Sequence, residues 1–172
     1  NYMAAIALVE GLATDDAIRQ VAKNFGGVEH RIELVRVKDG VRYYNDSIAS
    51  SPSRTIAGLR SFPEKVILIA GGYDKHIPYD VLGPEICAHV KKLFLGGATG
   101  PKIRAAVENA PAYRPGMPEI VDCGDFTRAT LAAAQAAEPG DVVLMSPASA
   151  AFDQFKNFMV RGQYFKKLVK EL

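Results

Sequence analysis

Four short apolar runs do most to limit what this chain can fold into: "KVILIAGG" from Lys65, "KKLFLGG" from Lys91, "EIVDCG" from Glu119 and "DVVLMSP" from Asp141. Each ends in glycine or a polar residue, and each has the length of a strand, not of a helix. Between and around them lie helical stretches at Pro52 to Ser61, Tyr79 to His89, Pro101 to Asn109 and Asp125 to Ala137, the last with Asp125 as its N-cap. Continuous apolar strands that alternate with helices require a parallel sheet covered on both faces. Ahead of them "RIELVRV" alternates as a strand, Asp39-Gly40 is a two-residue hairpin signal, and "VRYYND" returns antiparallel. The expected architecture is α/β: a Rossmann-like, mostly parallel sheet with one antiparallel strand and helices on both faces. A last helix is expected from about Asp153 to the end of the chain.

The first 29 residues read differently. "NYMAAIALVEGL" is helical in period with Gly11 as its stop, and Thr14 caps a second helix whose first turn holds Asp15 and Asp16. "FGGVEHR" is a linker, which divides residues 1–29 from 30–172. The chain opens at Asn1 inside a helical pattern, as a piece of a longer protein would. Its net charge of +2 is too small to argue for nucleic acid or a membrane surface, and the dense basic cluster at Lys166, Lys167 and Lys170 reads as a solvated helix face. No apolar stretch approaches the roughly 20 residues that span a bilayer, and no signal peptide is visible. Cys87 and Cys123 stand alone without metal-ligand spacing, so two buried, reduced thiols and no metal site are expected.

In an open parallel sheet, ligands bind outside the carboxyl ends of the strands. Those ends are small or polar here: Asp46 to Ser51, Gly71 to Lys75, Gly96 to Gly100 and Ser146 to Ala151. Neither a Walker motif nor a dinucleotide-binding glycine pattern is present. Three groups of residues stand out. His30-Arg31 follows the linker, where an arginine fork is able to reach phosphate; the plainer reading pairs Arg31 with Glu29 or Glu33. Asp46, with Ser50 and Ser51, suits ribose hydroxyls or a small polar substrate; the plainer reading is an Asx-turn followed by a helix cap at Ser51-Pro52. Lys75, beyond the glycine pair of "GGYDK", suits a substrate carboxylate; the plainer reading is a solvated loop lysine.

The segments "VEHRIE", "YYNDSIASSPSRT", "LIAGGYDK" and "LMSPASAAFDQFKNFMVRG" occur in the order and spacing of the C-terminal part of Mur ligases. The chain resembles that family over nearly its whole length, in its D-glutamate-adding branch; the Asp-Asn-Pro-Arg motif of the diaminopimelate-adding members is absent. The resemblance implies that residues 1–29 end a central ATP-binding domain and that residues 30–172 form the amino-acid-binding domain. It implies an ATP-dependent amide ligase of peptidoglycan synthesis that joins D-glutamate to UDP-N-acetylmuramoyl-L-alanine through an acyl phosphate. ATP and Mg²⁺ would be held mainly by a domain outside this chain, and the fragment alone would be inactive.

By the same resemblance Asn1 is expected at the adenine, His30 and Arg31 against ATP with Arg31 at its phosphates, and Asp46 at the nucleotide. Ser50 and Lys75 are expected at the side-chain carboxylate of D-glutamate, and Ala151, Phe152 and Phe158 at its α-carboxylate; two departures from the family leave open weaker binding or a rearrangement around Lys75 and Arg54. Ile48 stands where other members carry Lys, and Ala151 where they carry Ser. The protein is expected to be a cytoplasmic monomer with no nucleic-acid or membrane partner. Two alternatives stay open: a Mur-type ligase for another amino acid, and a non-catalytic anion-binding module.

Overall fold

The apolar runs become the strands of one six-stranded sheet in the computed structural model, which describes residues 2–172. Asn1, expected at the adenine, lies outside the described residues. In chain order the elements are α1 (Tyr2–Leu8), α2 (Asp15–Asn24), β1 (Glu33–Lys38), β2 (Val41–Asn45), α3 (Pro52–Leu59), β3 (Val66–Ala70), α4 (Leu82–His89), β4 (Val90–Gly96), α5 (Gly100–Glu108), β5 (Glu119–Gly124), α6 (Phe126–Gln135), β6 (Val142–Met145) and α7 (Phe158–Glu171).

The strand order is β1-β2-β6-β3-β4-β5. β1 and β2 pair antiparallel and every other neighbouring pair is parallel. The hairpin closes on Asp39 and Gly40, both at positive φ, as a two-residue turn between twisted strands requires. β3 and β6 are buried along their whole length because both of their faces are covered.

Alternation along the central strands divides the core in two. Leu68 and Leu144 face α3, α4 and α5, packing with Leu59, Ile86 and Ile103. Ile69 and Met145 face α6 and α7, packing with Phe126, Ala129 and Phe165. The loop after β3 therefore leads to a helix on one face, and the loop after β6 to a helix on the other. Such a divergence opens a crevice at the carboxyl ends of the strands.

Several expectations need correction. α7 begins at Phe158, not near Asp153, because the Asn157 side chain accepts the Val160 N–H and caps the helix there. α4 begins at Leu82 rather than Tyr79, which lies in the preceding turn. Cys87 is buried, but Cys123 is half-buried on the edge strand β5. Lys166 is not a solvated lysine: its ammonium bonds Glu29 at 3.0 Å and Glu33 at 2.6 Å. Thr14 caps α2 as expected, yet α2 contains no buried residue. Ala5, Ile6, Val9, Ile18 and Val21 of the first two helices line an apolar surface groove. Among the described residues no helix is long and apolar enough to cross a membrane.

Candidate functional site

The loops that follow β2, β3 and β6 meet at one end of the sheet, and glycine permits their approach. Gly71 and Gly72 follow β3 at φ values of 111° and 149°. A Cβ at Gly71 would overlap the Gly96 carbonyl oxygen, and one at Gly72 would overlap that of Ala150. Buried hydroxyls stitch the loops together: Ser149 Oγ lies 2.8 Å from Tyr79 Oη and 2.7 Å from Thr99 Oγ1.

On the β2 side, Arg31, Ile32, Asp46, Ile48, Arg54 and Gly58 line a cleft of about 290 Å³. Asp46 forms its buried wall. Its Oδ1 accepts the Ile32 N–H at 3.3 Å, and its Oδ2 accepts the Ser146 hydroxyl at 2.7 Å. Burial pushes the Asp46 carboxyl up to about 6, against the opposing pull of these hydrogen bonds and of Arg31 and Arg54. The Asx-turn belongs to Asn45 instead, whose Oδ1 accepts the Ser47 N–H. Ser51 is the N-cap residue of α3 with Pro52 after it, but its side chain makes no capping bond.

Arg31 sits between two residues at positive φ, His30 at 64° and Ile32 at 46°. A β-branched residue in that region is strained, and such strain clusters at functional loops. Pairing with Glu29 or Glu33 is not what the structure shows, since Lys166 takes both glutamates and Arg31 has no ion-pair partner among the described residues. His30 behaves otherwise than Arg31. Its ring is buried against Gly162, with Nδ1 2.9 Å from Asn45 Nδ2 and its edge toward Phe158. Glu29, His30 and Glu33 could surround a cation, and Lys166 is that cation.

On the β3 side, Tyr73 bridges to Ala150, and the Phe152 ring meets the Tyr73 ring at 5.9 Å. Ala151 is buried, and neither its N–H nor that of Phe152 finds an acceptor among the described residues. Lys75 is exposed and in no ion pair among the described residues, while the neighbouring Asp74 is taken by Lys102 at 2.6 Å. The Ser50 hydroxyl is likewise without a partner among the described residues, and no bond links it to Lys75. Phe158 is half-buried, and its carbonyl accepts the Ser47 hydroxyl at 2.7 Å. Thus Arg31 and Asp46 share one cleft and Ala151 and Phe152 one loop, whereas Lys75 and Ser50 flank the crevice separately.

Arg161 was missed by sequence reasoning. It is 1% exposed, and its guanidinium holds no carboxylate among the described residues. Its guanidinium donates to Ser47 Oγ at 3.0 Å, to the Ser47 carbonyl at 3.0 Å and to the Ala150 carbonyl at 3.1 Å. It therefore ties the loop after β2 to the loop after β6. Burial pulls its pKa down to about 10, which leaves it charged at neutral pH. The available signal was its place on the buried stripe Arg161, Phe165 and Val169.

Comparison with known proteins agrees with this geometry. The family model "Mur ligase, glutamate ligase domain" matches residues 30–149. A UDP-N-acetylmuramoylalanine–D-glutamate ligase of Acetivibrio thermocellus is 54% identical over the whole chain, which spans 37% of that protein. The namesake from Clostridium beijerinckii is 48% identical, again over the whole chain and 38% of the relative. The chain thus spans little more than a third of these curated relatives. Among solved structures, a murein peptide ligase from Psychrobacter arcticus superposes with a TM-score of 0.57 at 14% identity, covering 99% of this chain and 36% of its own. A bifunctional folylpolyglutamate synthase/dihydrofolate synthase from Yersinia pestis gives 0.61 at 17%, covering 91% and 34%. At such identities the structures speak for the fold alone. Because that family model matches more than half of the chain, the chain belongs to the Mur ligase family.

Proposed function

We propose that this chain is the amino-acid-binding part of an ATP-dependent ligase that joins D-glutamate to UDP-N-acetylmuramoyl-L-alanine in peptidoglycan synthesis. The observation that carries this is the cleft shared by Arg31 and Asp46 at the carboxyl end of β2, beside the loops after β3 and β6 that carry Lys75 and Ala151–Phe152. The names of the 54% and 48% identical relatives supply the substrates.

In this reading ATP lies with its phosphates toward Arg31. The unused lone pairs of Asp46 accept a ribose hydroxyl. Lys75 and the Ser50 hydroxyl hold the side-chain carboxylate of D-glutamate, and the N–H groups at Ala151 and Phe152 hold its α-carboxylate, with Phe158 beneath. A dianionic amino acid needs a cation and free donors, and these residues supply them. The role of His30 is to fix the backbone that carries Arg31, since its own ring is buried.

The family's chemistry implies Mg²⁺, but this chain does not fit it. Asp46 is the one acid of its cleft, and its burial favours the neutral form. The ion belongs to the remainder of the protein. Residues 1–29 are read as the end of the nucleotide-binding domain, because the apolar faces of α1 and α2 are left uncovered by this sheet. The protein is read as a cytoplasmic monomer.

Phosphate release by the longer polypeptide tests the assignment. ATP turnover should require D-glutamate and the UDP-sugar together, and equal rates with another amino acid would overturn it. This 172-residue chain alone should release no phosphate, since the positioning that is lost is worth roughly 7–11 kcal/mol of the reaction barrier, and it should bind ATP very weakly because it supplies one wall of the site. Micromolar binding would contradict the split.

A further inference from the structure

We infer that Arg54 is a second anion-binding guanidinium of the Asp46 cleft, placed to contact the phosphoryl oxygens of a bound nucleotide and not the carboxylates of the amino acid. The inference rests on the functional reading above and adds to it a residue and a direction.

Arg54 and Arg31 reach the same cleft from different elements, one from the first turn of α3 and the other from the loop before β1. Both are exposed, and neither is within ion-pair distance of a carboxylate among the described residues. Of the ten arginines, Arg19, Arg42, Arg60, Arg104 and Arg128 each hold an aspartate or glutamate, Arg36 and Arg114 each donate to two backbone carbonyls, and Arg161 is buried. Arg54 Nη1 donates to the Ile48 carbonyl at 3.2 Å, which steadies the fork and leaves its remaining N–H groups available.

The cleft between the two arginines has one acid, Asp46, whose oxygens already accept from Ile32 and Ser146. Its wall is therefore net positive, concave and large enough for a phosphate chain. Two planar forks lining one cleft match the several oxygens of an oligophosphate better than the single carboxylate of an amino acid. Position agrees with this. No residue lining the Arg54 cleft belongs to the loops that carry Lys75, Ala151 and Phe152; of the residues assigned to the amino acid, Ser50 alone adjoins it, on the loop after β2. The buried Arg161, bonded to Ser47 and Ala150, stands between the two regions.

The test uses inorganic tripolyphosphate titrated into this chain and followed through the arginine Nε–H resonances, together with steady-state kinetics of the longer enzyme. Arg54→Gln should weaken tripolyphosphate binding roughly ten- to a hundredfold, as loss of a charge-assisted contact does. It should raise the KM for ATP and leave the KM for D-glutamate in place. Lys170→Gln, on the exposed face of α7, controls for nonspecific attraction and should change neither. If Arg31→Gln weakens binding and Arg54→Gln does not, the cleft stands and this inference falls. If Arg54→Gln raises the KM for D-glutamate alone, Arg54 belongs to the amino acid and the inference is again wrong. If neither arginine matters, the nucleotide reading of the cleft fails and takes the inference with it.

Discussion

Asp46 is a carboxylate almost wholly buried in the wall of its cleft, so replacing it with its neutral isostere should stabilise this chain at neutral pH. The folded carboxyl titrates at about 6, against an ordinary value of 3.8. Between those two values the folded state holds a proton that the unfolded state has released. Stability therefore falls as pH rises through that window, and the full penalty stands above it. Each pH unit corresponds to about 1.4 kcal/mol, so the penalty is bounded near 3 kcal/mol; relaxation around a polar cleft should leave roughly 1–2 kcal/mol. Asp46→Asn keeps the geometry. Its oxygen can accept the Ile32 N–H, and its amide can donate to Ser146 Oγ, whose hydroxyl then turns to Thr55 Oγ1 at 3.0 Å. Urea unfolding followed by circular dichroism, at intervals from pH 4 to 7.5, measures the difference between the two proteins. The asparagine variant should gain stability relative to the parent as pH rises, and by pH 7 it should lead by about 1–2 kcal/mol. A difference that does not change with pH, or an asparagine variant less stable at pH 7, would refute the reasoning. The cost of the native residue is then the cost of a nucleotide contact.

Arg161→Met should destabilise the chain by about 2–4 kcal/mol in the same urea assay, because it removes three hydrogen bonds from a charged donor and leaves the Ser47 carbonyl without a partner. A loss under about 0.5 kcal/mol would mean that relief from burying the charge offsets all of them. Gly71→Ala should cost at least about 3 kcal/mol or yield insoluble protein, since φ there is 111° and a Cβ meets the Gly96 carbonyl. Near-native stability would show that the loop after β3 has another conformation.

Most of the sheet was legible because its signals are local. β3 and β6 are unbroken apolar runs between breakers, and the β1–β2 hairpin announces itself in Asp39-Gly40. Asp125 and Thr14 cap their helices through their own side chains, as the residue type dictates. What was misread depends on partners far away in sequence. Lys166 looks solvated until Glu29 and Glu33 arrive beside it, and His30 looks available until Gly162 of α7 covers its ring. The segment from Asp153 to Asn157 has helix-compatible residues, yet the helix starts only where Asn157 supplies a cap. In the site, Arg31 and Asp46 line one cleft. Arg161 was not foreseen, because an arginine on a helix reads as surface unless its alignment with Phe165 and Val169 is noticed.

The central claim is that two half-sites lie side by side at the carboxyl ends of the strands, one for nucleotide and one for amino acid, and Lys75 tests it most directly. Lys75 is exposed, in no ion pair among the described residues, and on a different loop from Asp46. In the longer enzyme, steady-state kinetics of Lys75→Ala with each substrate varied in turn should show a raised KM for D-glutamate. Loss of one member of a charge pair costs about 2–5 kcal/mol, so kcat/KM for D-glutamate should fall on the order of tens- to thousands-fold while the KM for ATP moves little. An unchanged KM and kcat for D-glutamate would contradict the account and leave Lys75 a lysine in solvent.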